Sequence, residues 1–202
     1  MTAISPRVPY AEAARLLLRN TLLDSATDLL RTRSWQETRM ADIAKAAGVS
    51  RQTLYKEFGS RKAFAEAYIL RESERFLSSV EEALRTHLDT PRDALAAAIE
   101  VFLTAAGEEP LIKAIVAGDD SDGLLSTVTN HAGPLLHGAK QRLVEHLVAS
   151  WPHASPTELE RLAECLVRLA VSHAASPVHT PAETATSIAT VLSPYLAETV
   201  GC

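Results

Sequence analysis

The chain has 202 residues, 47% of them hydrophobic and 5% aromatic, with a net charge of −5; that is enough apolar material for one or two buried cores, and abundant Ala and Leu favour helices over sheets. No stretch approaches the roughly 18 uninterrupted apolar residues that suggest a membrane span, and Met1 to Pro9 lack the apolar run of a signal peptide. Cys165 and Cys202 are the two cysteines, too far apart for a metal or redox motif, so a reducing, cytoplasmic setting is expected.

Helical periodicity places a first helix over about Tyr10 to Arg33, with Leu16, Leu22, Leu23, Ala26, Leu29 and Leu30 on its inner side and Ser34-Trp35 ending it. Thr38 reads as the N-cap of a short helix reaching Ala47, where Gly48 breaks the chain. Ser50 caps a second short helix, Arg51 to Phe58, and after Gly59 the hydroxyl of Ser60 caps a long one from Arg61 to about His87. Thr90-Pro91, Ser155-Pro156 and Thr180-Pro181 each combine a hydroxyl at the cap, Pro at the first helical position and a carboxylate at the third, Asp93, Glu158 and Glu183. Each is a helix start, because the cap occupies free N–H groups, Pro has none to lose, and the acid faces the positive helix end. They open helices over Pro91 to Ala106, Pro156 to Ala175 and Pro181 to Val200. Between them, Glu109 to Ala117 reads as a short helix, Gly118 to Gly123 as a loop, and Leu124 to Ser150 as a helix kinked at Gly133-Pro134. No segment alternates like a strand, so the expected class is all-α with about nine helices. The expected domains are residues 1–65 and 66–202, with the boundary inside the long helix.

Charge is unevenly spread. Residues 31–62 hold eight basic residues (Arg31, Arg33, Arg39, Lys45, Arg51, Lys56, Arg61, Lys62) and three acidic ones (Glu37, Asp42, Glu57), a net +5 in a chain whose total is −5. A basic island on an acidic body suits contact with phosphates at one end only. Within it, two helices of about eight residues each are too short to stand alone, so they must pack on each other and on the first helix. Ile43, Ala44, Ala47, Val49, Leu54 and Phe58 form the inward set, and Gly48 can take the positive φ of a tight turn. This is a helix-turn-helix, whose second helix enters a major groove. Its outward residues are Ser50, Arg51, Gln52, Thr53, Tyr55 and Lys56. Arg51, Gln52 and Thr53 suit base edges; Tyr55, Lys56, Thr38 and Lys62 suit phosphates.

The segment Met40 to Phe64 resembles the tetracycline-repressor (TetR) family of bacterial regulators. It carries the Ile43-Ala44 pair, the Gly48-Val49-Ser50 turn, the Leu54-Tyr55 pair, Phe58 and the Lys62-bearing helix start. The resemblance implies a homodimer, a palindromic operator and a ligand-responsive C-terminal domain. One departure is the N-terminal arm, which carries only Arg7 where many members have several basic residues.

In the C-terminal body the Pro156 to Ala175 helix is apolar on more than one face. Leu159, Leu162, Ala163, Leu166, Leu169 and Ala170 make a stripe that Cys165, Val167, Val171 and Ala174 widen. Such a helix asks for burial on two sides, one of them against a partner chain. With Ile188, Val191, Leu192, Tyr195 and Leu196 of the last helix it is expected to form a four-helix dimer seam, the place where the resemblance also puts it. A pocket for a small apolar effector is expected between about Arg71 and Ser150. Phe76, Val80, Leu84, Phe102, Leu103, Ile115, Leu124 and Val128 are its apolar candidates, and Asn130, His131 and His137 its polar ones.

No metal or cofactor site is expected. His131 and His137 lack the i,i+4 spacing of a helical metal pair, the acidic run Asp119 to Gly123 lacks the terminal glutamate of a calcium loop, and no phosphate loop or hydrolase motif is present. The expected function is a ligand-responsive repressor in which an effector pivots the long helix and changes the spacing of two reading heads. The alternatives are an activator, or a DNA binder without a ligand, whose preference for operator over random DNA would be near one in the non-specific case. A helical enzyme or carrier, which would bind no DNA at low salt, is a further alternative.

Overall fold

The computed structural model describes residues 9–117, 123–124 and 133–200; residues 118–122 of the expected acidic loop and the candidates Val128, Asn130 and His131 lie outside them. The described residues form nine helices and no strand: α1 (Tyr10–Leu30), α2 (Met40–Ala46), α3 (Arg51–Phe58), α4 (Arg61–Arg85), α5 (Pro91–Glu108), α6 (Pro110–Ala117), α7 (Gly133–Ser150), α8 (Pro156–Ala175) and α9 (Pro181–Val200). They fall into two compact units divided between Tyr68 and Ile69, within α4.

The first unit is built on α1. Leu22, Leu23, Ala26 and Leu30 are buried, while Leu16, expected on the same stripe, is 49% exposed. α1 ends at Leu30 rather than Arg33, and Thr32 donates its N–H three residues back, to the Leu29 carbonyl, instead of the four of an α-helix. Trp35 is more than a terminator: it is 2% exposed and stacks 6.3 Å from Phe64, whose ring also meets Phe58 edge-on at 4.7 Å. Ile43, Ala44, Leu54 and Phe58 are buried as expected, and Ala47 and Val49 are half-buried.

In the second unit α5 packs on α9 and α8, and α7 on α8. Leu95, Ile99, Leu147, Leu159, Leu162, Leu166 and Ile188 share one core. The three Pro-marked starts all hold, but by different means. Thr180 and Glu183 cap reciprocally: the Thr180 N–H donates to Glu183 Oε2 at 3.0 Å and the Glu183 N–H to Thr180 Oγ1 at 3.3 Å. Thr90 and Ser155 make no side-chain cap bond, and the Thr90 hydroxyl donates back to the His87 carbonyl instead. Pro91 and Pro156 with the first-turn acids Asp93 and Glu158 mark those starts without a hydroxyl cap. α7 is described from Gly133 onward, and residues 125–132, on which the expected kink at Gly133-Pro134 depends, lie outside the described residues.

Candidate nucleic-acid interface and apolar cavity

The helix-turn-helix begins one residue later than its sequence suggests. Arg39 is the N-cap of α2, and its N–H donates to Asp42 Oδ2 at 3.0 Å. Thr38 is fully buried; its hydroxyl donates to the Ser34 carbonyl at 2.8 Å, which withdraws it from the expected phosphate contacts. The turn closes as Gly48 takes φ 69° and the Val49 N–H reaches the Ala44 carbonyl at 2.9 Å. Ser50 then caps α3, accepting from the Thr53 N–H at 3.0 Å, with its Oγ 2.8 Å from Thr53 Oγ1. Gly59, at φ 78°, ends α3 with its N–H on the Tyr55 carbonyl, and Ser60 caps α4 by accepting from the Ala63 N–H at 3.0 Å.

Between those two glycines α3 has a held face and a free one. Leu54 and Phe58 are buried. Glu57, its side chain 8% exposed, accepts from Arg15 Nε at 2.9 Å and lies 3.3 Å from Arg19 Nη1, and Arg19 also sits 4.5 Å over the Phe58 ring. The hydrogen bond to Glu57 holds the Arg15 guanidinium above its usual pKa. On the other face Ser50, Arg51, Gln52 and Lys56 are exposed, Thr53 and Tyr55 half-buried, and Lys62 exposed at the start of α4. The Arg51 guanidinium lies 5.2 Å from the Tyr55 ring centroid, so the tyrosine orients the arginine across one turn. Glu57, Arg15, Arg19 and Arg61 were not singled out from sequence as positioning groups. The signals were an acid beside the inward Phe58 and, at Arg61, a cation at the positive end of a helix.

The second unit contains a cavity of about 350 Å³ between α4, α5, α6, α7 and α8. Phe76, Val80, Leu84, Phe102 and Ile115 line it, as expected; Phe76 and Phe102 meet edge-on at 5.9 Å. Leu103 and Leu124 do not: both are buried elsewhere in the packing. His137 is exposed and is not among the lining residues, although Leu136 and Gly138 beside it are. The wall that sequence reasoning missed comes from Leu135, Leu136, Gly138, Ala139 and Leu143 of α7 and Leu166, Val167 and Ala170 of α8. Part of the surplus apolar surface of α8 therefore faces this cavity rather than a partner chain. On α9, Ile188 and Leu196 are spent on the protomer's own core, whereas Val191 is 75% exposed. No group of three or more metal-ligating side chains occurs among the described residues, and none of their helices is long and apolar enough to cross a membrane.

A capped two-helix turn with a polar, basic free face defines a helix-turn-helix DNA-binding protein. Residues 22–68 match the family model "Bacterial regulatory proteins, tetR family", and residues 90–194 match "Bacterial Tetracyclin repressor, C-terminal domain". The chain belongs to the TetR family of bacterial regulators and is a DNA-binding transcriptional regulator. It is 33% identical to the HTH-type transcriptional regulator AlkX of Mycobacterium tuberculosis, over 94% of this chain and 90% of that one. It also resembles the crystal structure of the TetR family repressor AlkX from a Dietzia strain, implicated in biodegradation of n-alkanes, with a TM-score of 0.65 and 35% identity over 90% of this chain and 96% of that one. A shorter match, 37% identical over 42% of this chain and 38% of the relative, is to the HTH-type transcriptional activator FasR of Mycolicibacterium smegmatis. TetR-family regulators bind DNA operators and are typically dimers.

Proposed function

We propose that the protein is a cytoplasmic, ligand-responsive repressor that binds a palindromic operator as a homodimer. DNA binding is assigned to residues 1–65, and effector binding and dimerisation to residues 66–202. The observation that carries the reading is the division of α3: Leu54, Glu57 and Phe58 hold it from behind, while Arg51, Gln52 and Lys56 stand exposed in front. Arg51, Gln52 and Thr53 read bases in the major groove, and Ser50, Tyr55, Lys56 and Lys62 hold phosphates.

The apolar cavity is the effector site, and the effector acts by binding DNA-competent and DNA-released conformations with different affinity. Helices α8 and α9 pair across a two-fold axis, with Val191 among the residues left for the partner. Repression rather than activation is supported by the Dietzia relative, a repressor matched over nearly the whole chain; the activator FasR matches less than half of it. That relative also points to genes of aliphatic-hydrocarbon metabolism as the regulated set.

The test is binding of the purified protein to its own upstream DNA, with random DNA as control, across a salt series. Selective, salt-dependent binding with two protomers per half-site pair supports the reading. Equal affinity for both DNAs favours a non-specific binder, and no binding at low salt after denaturing, stripping and refolding removes the DNA-reading assignment.

A further inference from the structure

We propose that the cavity takes its effector uncharged, as an aliphatic molecule carrying one hydrogen-bonding oxygen, and that Ser73 is the residue that meets this oxygen. The inference deepens the assignment of the cavity as effector site and rests on it.

Among the described residues, the cavity wall is hydrocarbon at every side chain but one. Ser73, on α4, is the exception among the lining residues. Its Oγ is buried and finds no hydrogen-bond partner among the described residues. A buried hydroxyl without a partner is unfavourable, and a ligand hydroxyl, carbonyl or ester oxygen relieves that penalty where a pure hydrocarbon does not. A polar group placed alone in an apolar wall sets the orientation of a chain that the wall itself would hold in any direction.

Among the described lining residues there is no counter-charge for an ionised ligand. Two basic residues of α7 lie beside the lining positions Ala139 and Leu143, and both are engaged elsewhere. Lys140 pairs with Glu164 at 3.1 Å. Arg142 reaches across to α4, donating from Nη2 to Glu81 at 3.1 Å and from Nη1 to Glu74. Neither is among the lining residues. A carboxylate drawn into such a site takes up a proton rather than remain charged, and an ammonium group finds no acid among the lining residues. A fatty acid therefore binds in its protonated form, at a penalty that grows tenfold with each pH unit above its pKa.

The experiment compares decan-1-ol, decanoate and decane on the full-length protein at about pH 8, by calorimetry and thermal shift. Decan-1-ol is expected to bind at least about tenfold more tightly than decanoate, and decanoate is expected to gain about tenfold for each unit by which the pH is lowered towards its pKa. Ser73→Ala is expected to weaken decan-1-ol by about three- to tenfold and to leave decane unchanged, with Ser73→Thr restoring the alcohol. Decanoate binding as tightly as decan-1-ol at the higher pH overturns the charge rule. Equal losses for alcohol and alkane in Ser73→Ala overturn the role of Ser73. Failure of all three probes to bind overturns the effector assignment of the cavity itself, and this proposal with it.

Discussion

Arg61, the first residue of α4, lays its guanidinium 4.2 Å from the centre of the Trp35 ring, and the same group donates to the carbonyls of Trp35 and, at 2.6 Å, Thr38. A cation at the positive end of a helix is unfavourable in isolation, and burial pushes its pKa down. The planar fork offsets both effects, because it occupies two carbonyls of the α1–α2 connection and stacks on an aromatic face at once. Arg61→Ala is expected to destabilise the protein by about 2–4 kcal/mol in denaturant unfolding. Arg61→Lys should recover less than half of that, since an ammonium neither forks nor stacks. A lysine variant as stable as the parent would contradict this account. Because Arg61 is turned inward, the salt slope of DNA binding should be unchanged in both variants.

The exposed face of α3 makes a different kind of prediction. Arg51→Ala should cost about 1–3 kcal/mol on the preferred sequence and relax the choice of base at one position of each half-site. Lys62→Ala should weaken all sequences alike and reduce the salt slope by about one per protomer. Titrations against operator variants at several salt concentrations separate the two, and unchanged binding in both removes these residues from the interface.

Two glycines should respond to alanine with opposite signs. Gly48 sits at φ 69°, so Gly48→Ala forces a Cβ into the left-handed region and should cost about 1–2 kcal/mol. Gly138 lies inside α7, and an added Cβ there meets nothing within 4 Å, so Gly138→Ala should stabilise by up to about 1 kcal/mol. Chemical denaturation of both variants beside the parent checks the pair.

Acid should unfold the protein through identifiable carboxylates. The Arg142 guanidinium holds Glu81 below the usual 4.5, hydrogen bonds from Ser34 do the same for Glu37, and bonds from Thr180 for Glu183. Each group binds its proton more weakly when folded than when unfolded. The stability it contributes is present above the unfolded value and disappears as pH falls through the lower folded one. Melting temperature should therefore be flat above about pH 5.5 and fall below about pH 4.5, and less steeply in Glu81→Gln. An unchanged acid limb in that variant would remove Glu81 from the account.

The helix-turn-helix was legible because its determinants are local. The Ser50 cap, the Gly48 turn and the spacing of Ile43, Leu54 and Phe58 each act within a few residues. The bounds of α8 and α9 were equally open to reading, since Pro156 and Pro181 mark their starts. What escaped was tertiary. Glu57 finds its arginines 38 and 42 positions upstream, and neither partner carries a periodicity that announces the meeting. Thr38 looked like a cap, yet the Ser34 carbonyl took its hydroxyl. The cavity was half seen: hydrophobic residues of α4 and α5 were natural candidates, whereas the α7 and α8 walls looked like ordinary core or dimer surface until the helices were placed.

Glu57, Leu54 and Phe58 share no position with Arg51, Gln52 and Lys56, and the consequence is historical as much as mechanical. Mutations that change which operator is preferred fall on residues that carry little of the folding free energy. Mutations that would unfold the unit fall on residues that never touch a base. A lineage can therefore drift from one target sequence to another through intermediates that all remain folded, keeping the scaffold while the address it recognises is rewritten.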